Sequence, residues 1–108
     1  DVFWMVPDST LVTPEMVDYL LLFSFQHNLP VFSFSKKYLE QGAIASLDVD
    51  PYDMGVQAGE IVKRLSAGDT GAIRVYARKY RLTINAKVAA KLGLKIRDEI
   101  MIKAANVE

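Results

Sequence analysis

The chain has 108 residues, about half of them apolar (51%) and a quarter charged (24%), the profile of an ordinary globular unit with a modest core. Thirteen basic residues balance thirteen acidic ones, so the basic excess that a duplex-binding surface carries is missing and nucleic acid is disfavoured. No cysteine and a single histidine, His27, exclude a disulfide framework, a thiolate nucleophile and a Cys- or His-clustered metal site.

Val2 to Val6 is an unbroken apolar run, expected to form a strand covered on both faces as in a parallel sheet, with Trp4 in the core. Pro7-Asp8-Ser9-Thr10 breaks it. Thr13-Pro14-Glu15 is a helix start: a hydroxyl cap, a proline where a missing N–H costs nothing, and an acid in the first turn. That helix is expected to bury Met16, Val17, Leu20, Leu21 and Ser24 and to end near His27 and Asn28, where His27 complements the helix dipole. Val31 to Phe34 reads as the next strand, and Ser35 as the cap of a short helix stopped by Gly42.

Ala43 to Val49 is a third strand, and Asp50-Pro51 repeats the helix-start signal. Its helix runs to about Ala67, presenting Met54, Ala58, Ile61, Val62 and Leu65 on one face, while Gly55 and Gly59 leave a bare side for close packing. Ile73, Val75 and Ala77 alternate with Arg74, Tyr76 and Arg78, as in a half-exposed strand that continues over 80–84. Asn85 caps a helix ending at Leu92-Gly93. The tail, 96–107, fits a helix through Ile100, Met101 and Ala104, or a strand through Ile100 and Ile102. The chain opens without an initiator Met or a basic leader, as a mature form or fragment does, and its most apolar window, 16–25, is too short to span a bilayer.

Alternating β and α elements imply an α/β fold, part of a doubly wound, mostly parallel sheet with right-handed crossovers. Ligands of such sheets bind outside the carboxyl ends of the strands. Three turns would share that edge: Asp8-Ser9-Thr10, Ser35-Lys36 and Asp50-Pro51-Tyr52. Hydroxyls and carboxylates at helix starts suit a polar ligand, Tyr52 adds a flat apolar face, and either an α-amino acid or a sugar would fit. The plainer reading of Thr13, Ser35 and Asp50 is helix capping. Asp8 stands too far before Thr13 to cap its helix, which leaves turn formation or ligand contact.

Asp48, Asp50 and Asp53 form an acidic cluster without calcium-loop spacing, so no metal is expected, and no cofactor motif is present. The nucleophile elbow, the phosphate-binding glycine loop, H-E-x-x-H and a Cys–His pair are all missing, which argues against an enzyme.

Five stretches, in order, resemble the ABC transporter substrate-binding protein family with a type I periplasmic-binding fold. They are Pro7-Asp8-Ser9-Thr10; Pro30-Val31 with Gly42-Ala43-Ile44-Ala45-Ser46; Asp50-Pro51-Tyr52-Asp53-Met54-Gly55 with Ala58-Gly59; Leu82-Thr83-Ile84-Asn85 with Ala89, Leu92-Gly93-Leu94 and Ile96; and Ile100-Met101 with Ala104-Ala105, which fits a terminal helix. Arg97 stands where proline is usual; Ser9 stands where Asn is common and Pro51 where Tyr is frequent, and since these two touch the presumed cleft, the family's ligand class does not transfer directly.

The resemblance implies the C-terminal part of a two-lobed solute-binding protein. Residues 1–42 would be second-lobe elements and 43–108 crossover and closing elements, the helix from Pro51 lying in the first lobe. The rest of both lobes would precede Asp1. It implies a small organic ligand, amino acids being a common class, held in an interlobe cleft by Asp8, Ser9, Thr10, Ser35, Asp50 and Tyr52. It implies a membrane permease as partner and a location outside the cytoplasmic membrane, periplasmic or extracellular, with a lipid anchor on a preceding segment as one arrangement. Unpaired sheet edges would invite self-association. The alternative use of this fold is the ligand-sensing domain of a transcription regulator or sensor kinase. Residues 87–103 also look like a swapped-hairpin DNA-binding segment, against which the neutral charge weighs.

Overall fold

The computed structural model describes residues 1–104 and 106–107. In chain order they form β1 (Phe3–Trp4), α1 (Pro14–Gln26), β2 (Val31–Ser33), a 3₁₀ turn (Lys36–Tyr38), β3 (Ala45–Val49), α2 (Pro51–Ser66), β4 (Tyr80–Ile84), α3 (Ala86–Lys91), α4 (Asp98–Lys103) and β5 (Asn106–Val107). The sheet order is β1-β2-β3-β4-β5. β1 runs parallel to β2 (Phe3 beside Val31), β2 to β3 (Ser33 beside Ser46), and β4 to β5 (Thr83 beside Asn106). The Asn85 N–H donates to Ile44 O at 2.8 Å and the Asp50 N–H to Lys79 O at 3.1 Å. Numbers therefore rise along β3 as they fall along β4, an antiparallel pair in a register that sets Thr83 across from Ser46. The α/β, mostly parallel architecture is the expected one. Two compact units divide the chain, Asp1–Asp48 with Arg81–Glu108, and Val49–Tyr80.

The first unit is built around Met5, Val17, Leu21, Val31, Tyr38 and Ala43, with Val12, Leu20 and Phe34 packed against them. Thr13 caps α1 by accepting from the Met16 N–H at 3.3 Å, Pro14 opens the helix, and Val17, Leu21 and Ser24 make its buried stripe. Met16 was expected in that stripe but is exposed, because it lies about 100° round the helix from Val17. The run from Val2 also departs from expectation. Its strand is only Phe3–Trp4, Trp4 is 63% exposed and not in the core, and Met5 is the buried member at 3%. β1 ends the sheet order, and among the described residues no strand lies beyond it.

His27 Nδ1 lies 3.0 Å from Phe23 O in the last turn of α1, and its ring stacks on Phe23. Gly42 is required where it stands: φ is +125°, and an added Cβ would sit 2.7 Å from the Phe25 ring. Asn85 caps α3 by accepting from the Val88 N–H at 3.1 Å, and its Nδ2 donates to Leu39 O at 2.9 Å. The ambiguous tail takes the helical reading over Ile100 and Met101 in α4, which also holds Ile102, so the strand through Ile100 and Ile102 does not form; β5 follows at Asn106–Val107. The expected helical place of Ala105 lies outside the described residues.

In the second unit Asp50 caps α2 by accepting from the Asp53 N–H at 2.9 Å, and Gly68 ends the helix in left-handed backbone. The inward residues are Asp53 and Gln57, with Ile61 half-buried, whereas Met54, Ala58, Val62 and Leu65 are exposed. The expected apolar face is thus not the one this unit covers. What packs on α2 is the 72–79 segment, and polar bonds hold it. Gln57 Nε2 donates to Tyr76 O (3.0 Å), Gln57 Oε1 accepts from the Arg78 N–H (3.2 Å), and Arg78 reaches Asp53 (3.1 Å) and Glu60 (3.3 Å). That side-chain amide occupies backbone groups a neighbouring strand would take, and no strand forms over 73–78. Nothing within the unit approaches Gly55 or Gly59 within 4 Å of a built Cβ, so the expected close packing is not seen there.

Candidate ligand-binding site

Because β1, β2 and β3 are mutually parallel neighbours, their carboxyl ends share one edge of the sheet. In the first unit this sets the turn after β1 and the turn after β2 side by side, as the sequence suggested.

Asp8, Ser9 and Thr10 are all exposed. Asp8 Oδ1 accepts from the Thr10 hydroxyl at 2.6 Å and the Thr10 N–H at 2.8 Å, and Asp8 O accepts from the N–H groups of Leu11 and Val12. The Thr10 hydroxyl, and then its amide, hold the Asp8 carboxyl below its ordinary pKa, so the group is an anion at neutral pH. Asp8 therefore has a local task that reasoning from helix-cap spacing did not supply. It closes its own turn.

Ser35 is placed differently. It occupies the N-cap position of the 3₁₀ turn in extended backbone (φ −148°, ψ 138°), yet its hydroxyl makes no cap bond. The expected capping role of Ser35 is thus corrected. Asp48, near the end of β3, satisfies the first amide of the turn instead: its Oδ1 accepts from the Lys36 N–H at 3.0 Å. Its other oxygen accepts from Ser46 Oγ at 2.8 Å. Ser35 is half-buried, with its hydroxyl left over from local structure.

Asp48 is the residue that sequence reasoning missed, having grouped it with Asp50 and Asp53. The three have separate tasks: Asp48 holds the 3₁₀ turn, Asp50 caps α2, and Asp53 pairs with Arg78. Among the described residues no group of three or more His, Cys, Asp or Glu side chains could hold a metal ion. No local signal pointed to the task of Asp48: its bond to Lys36 spans 12 residues, and the register that sets Ser33 beside Ser46, and so Asp48 near Ser35, is visible only in the structure.

In the second unit, Asp50 is half-buried and committed to its cap, while Tyr52 in the first turn of α2 is 82% exposed. Two cavities of about 260 Å³ lie elsewhere in the first unit. One is an apolar groove bordered by Trp4, Val6, Leu11, Met16 and Tyr19, the other a mixed pocket of Thr13, Asp18, Lys37, Tyr38 and Gln41. No candidate residue lines either.

The family model described as "ABC transporter substrate binding protein" matches residues 1–108. Among solved structures the chain is similar to a conserved domain protein from Vibrio cholerae O1 biovar El Tor, at 31% identity and TM-score 0.71, covering 100% of this chain and 36% of that one. It is also similar to an ABC domain in complex with L-Trp from Streptococcus pneumonia, at 22% identity and TM-score 0.68, covering 100% of this chain and 37% of that one. A third is the ligand-free, open form of a substrate binding protein with adhesive properties from Clostridium difficile, at 15% identity and TM-score 0.66, covering 99% and 36%. The last two likenesses speak for the fold alone. The chain thus spans about a third of the length of the structures it matches. No curated protein matches it.

Proposed function

Since the chain belongs to the ABC transporter substrate-binding protein family, we propose that it is the C-terminal part of the extracytoplasmic solute-binding component of an ABC uptake transporter. It holds a small polar organic ligand and performs no chemistry on it. The observation that carries this reading is the pair of polar turns after β1 and β2, adjacent on one sheet edge, with the Ser35 hydroxyl unused by its own turn. Ser35 is the leading contact. Asp8, Ser9 and Thr10 flank it, with Asp8 presenting a fixed anion to a cationic or hydroxyl group. Asp50 and Tyr52 are the candidates that the second unit carries. An α-amino acid is the favoured class, supported by the L-Trp complex of a protein with this fold. The partner is a membrane permease. Among the described residues no helix is long and apolar enough to cross a membrane, which agrees with a protein that delivers its ligand to a separate channel.

The test is calorimetric titration of the full natural chain carrying these residues against the twenty L-amino acids and a set of monosaccharides. Binding of an amino acid, weakened roughly tenfold by Ser35→Ala, is the expected result. Absence of binding across both sets overturns the reading.

A further inference from the structure

The turn that leaves β2 is held from outside itself, and the hold falls on a single peptide plane. The Ser35 carbonyl and the Lys36 N–H are the two polar ends of one peptide unit. Ser33 Oγ donates to that carbonyl at 2.9 Å. Asp48 Oδ1 accepts from that N–H at 3.0 Å. Both anchors are themselves pinned: Ser33 Oγ also lies 3.3 Å from Ala45 O, and the second oxygen of Asp48 accepts from Ser46 Oγ at 2.8 Å. Ser33 and Ser46 are fully buried in neighbouring parallel strands.

A peptide held at both ends resists rotation, and the Cα of Ser35, which lies in its plane, is held with it. The bond to Asp48 is charge-assisted and so stronger than one a serine hydroxyl would give. Asp48 holds the first amide of the turn, which an N-cap serine cannot reach, and the Ser35 hydroxyl makes no cap bond of its own.

We infer that Asp48 is a positioning residue of the ligand site: it clamps the Ser35–Lys36 peptide from β3 and so holds Ser35 in place at the edge where the ligand binds. This rests on the reading of the β1–β2 carboxyl edge as the ligand site. Asp48 does not touch the ligand. Its effect passes through Ser35, and that separates it from a residue that merely adds stability.

The experiment is a titration series on the full natural chain, using whichever of the twenty L-amino acids binds best, at a temperature where circular dichroism shows every variant folded. Asp48→Ala is expected to weaken binding roughly tenfold and Ser35→Ala by a similar factor, while the double variant is no worse than about twice the weaker single one, because both remove the same contact. Asp48→Asn keeps an oxygen for the Lys36 N–H, and the Ser46 hydroxyl can turn from donor to acceptor, so its affinity should stay within about threefold of the natural chain. A purely structural role would leave the affinity of the folded fraction unchanged. Should Asp48→Ala not fold, Ser46→Ala carries the test, since it frees one carboxylate oxygen and should cost about twofold to fivefold in affinity. Undiminished binding by folded Asp48→Ala, or by Ser46→Ala in its place, overturns the inference and leaves the site standing when Ser35→Ala is weakened. Full additivity in the double variant overturns it too. Unchanged binding by Ser35→Ala, or no binder among the amino acids, removes the site reading and the inference with it.

Discussion

Asp53 grips the Arg78 guanidinium with both carboxylate oxygens, Oδ1 at 3.1 Å from Nη2 and Oδ2 at 3.3 Å from Nε. Asp53 is nearly buried at 6% exposure, whereas the Arg78 side chain stays 47% exposed. The pair fastens the first turn of α2 to the end of the extended segment, with Gln57 one helical turn on. Arg78→Ala leaves the carboxylate of Asp53 without its partner and should lower the urea midpoint of the second unit, by less than a fully buried pair would because Arg78 is half exposed. Urea unfolding followed by Tyr fluorescence would measure it, and Arg78→Lys should recover only part, lacking the two-pronged geometry.

The turn after β1 makes a prediction about acid. Asp8 titrates below its ordinary value chiefly through the Thr10 hydroxyl. A depressed carboxylate contributes stability above its unfolded pKa, and that contribution is lost as pH falls through the folded value. The turn should therefore loosen only in strong acid. Thr10→Val removes the hydroxyl but keeps the amide, so the Asp8 midpoint should move up toward the ordinary value in a carboxylate NMR titration. An unmoved midpoint would assign the shift to another cause.

Thr83 is fully buried, and its Oγ1 has no hydrogen-bond partner among the described residues. A desolvated, unpaired hydroxyl costs about 1–3 kcal/mol. Thr83→Val keeps the branched shape that suits β4 and should stabilise the chain by about 1 kcal/mol in a urea melt. A loss of stability instead would reveal an ordered water bridging to Ser46.

β1 ends the sheet order with Val2, Phe3, Trp4 and Val6 exposed. An uncovered apolar edge recruits partners. A chain limited to these 108 residues should self-associate in light scattering, and Trp4→Lys should reduce the effect by placing a charge on that edge. A monomer that withstands concentration would contradict this.

What the sequence made legible was local. Thr13, Asp50 and Asn85 were readable as caps because a cap and its amide lie three residues apart, and all three make those bonds. The strand–turn–helix order followed from the same short-range chemistry. Burial was less legible. Trp4 and the apolar residues of α2 look like core by composition, but whether they are buried depends on what covers them, which periodicity does not encode. The Asp48 and Arg78 contacts were missed because their partners lie 12 and 25 residues away. In the candidate site, the expected cap at Ser35 does not form, since a serine before a turn does not announce whether its hydroxyl turns toward the amides that follow.

The bond from the Asp50 N–H to Lys79 O brings the two ends of the second unit together. The segment between them is consequently a detachable cassette in the sense a gene splicer would recognise, entering and leaving the chain through one doorway. Residues added to or removed from the 67–72 connection should change the size of that cassette without shifting the pairing of β3 with β4. Natural variation in length therefore has a place to accumulate here at little structural cost, while a single inserted residue in either strand beside the doorway would flip every following side chain to the opposite face of the sheet.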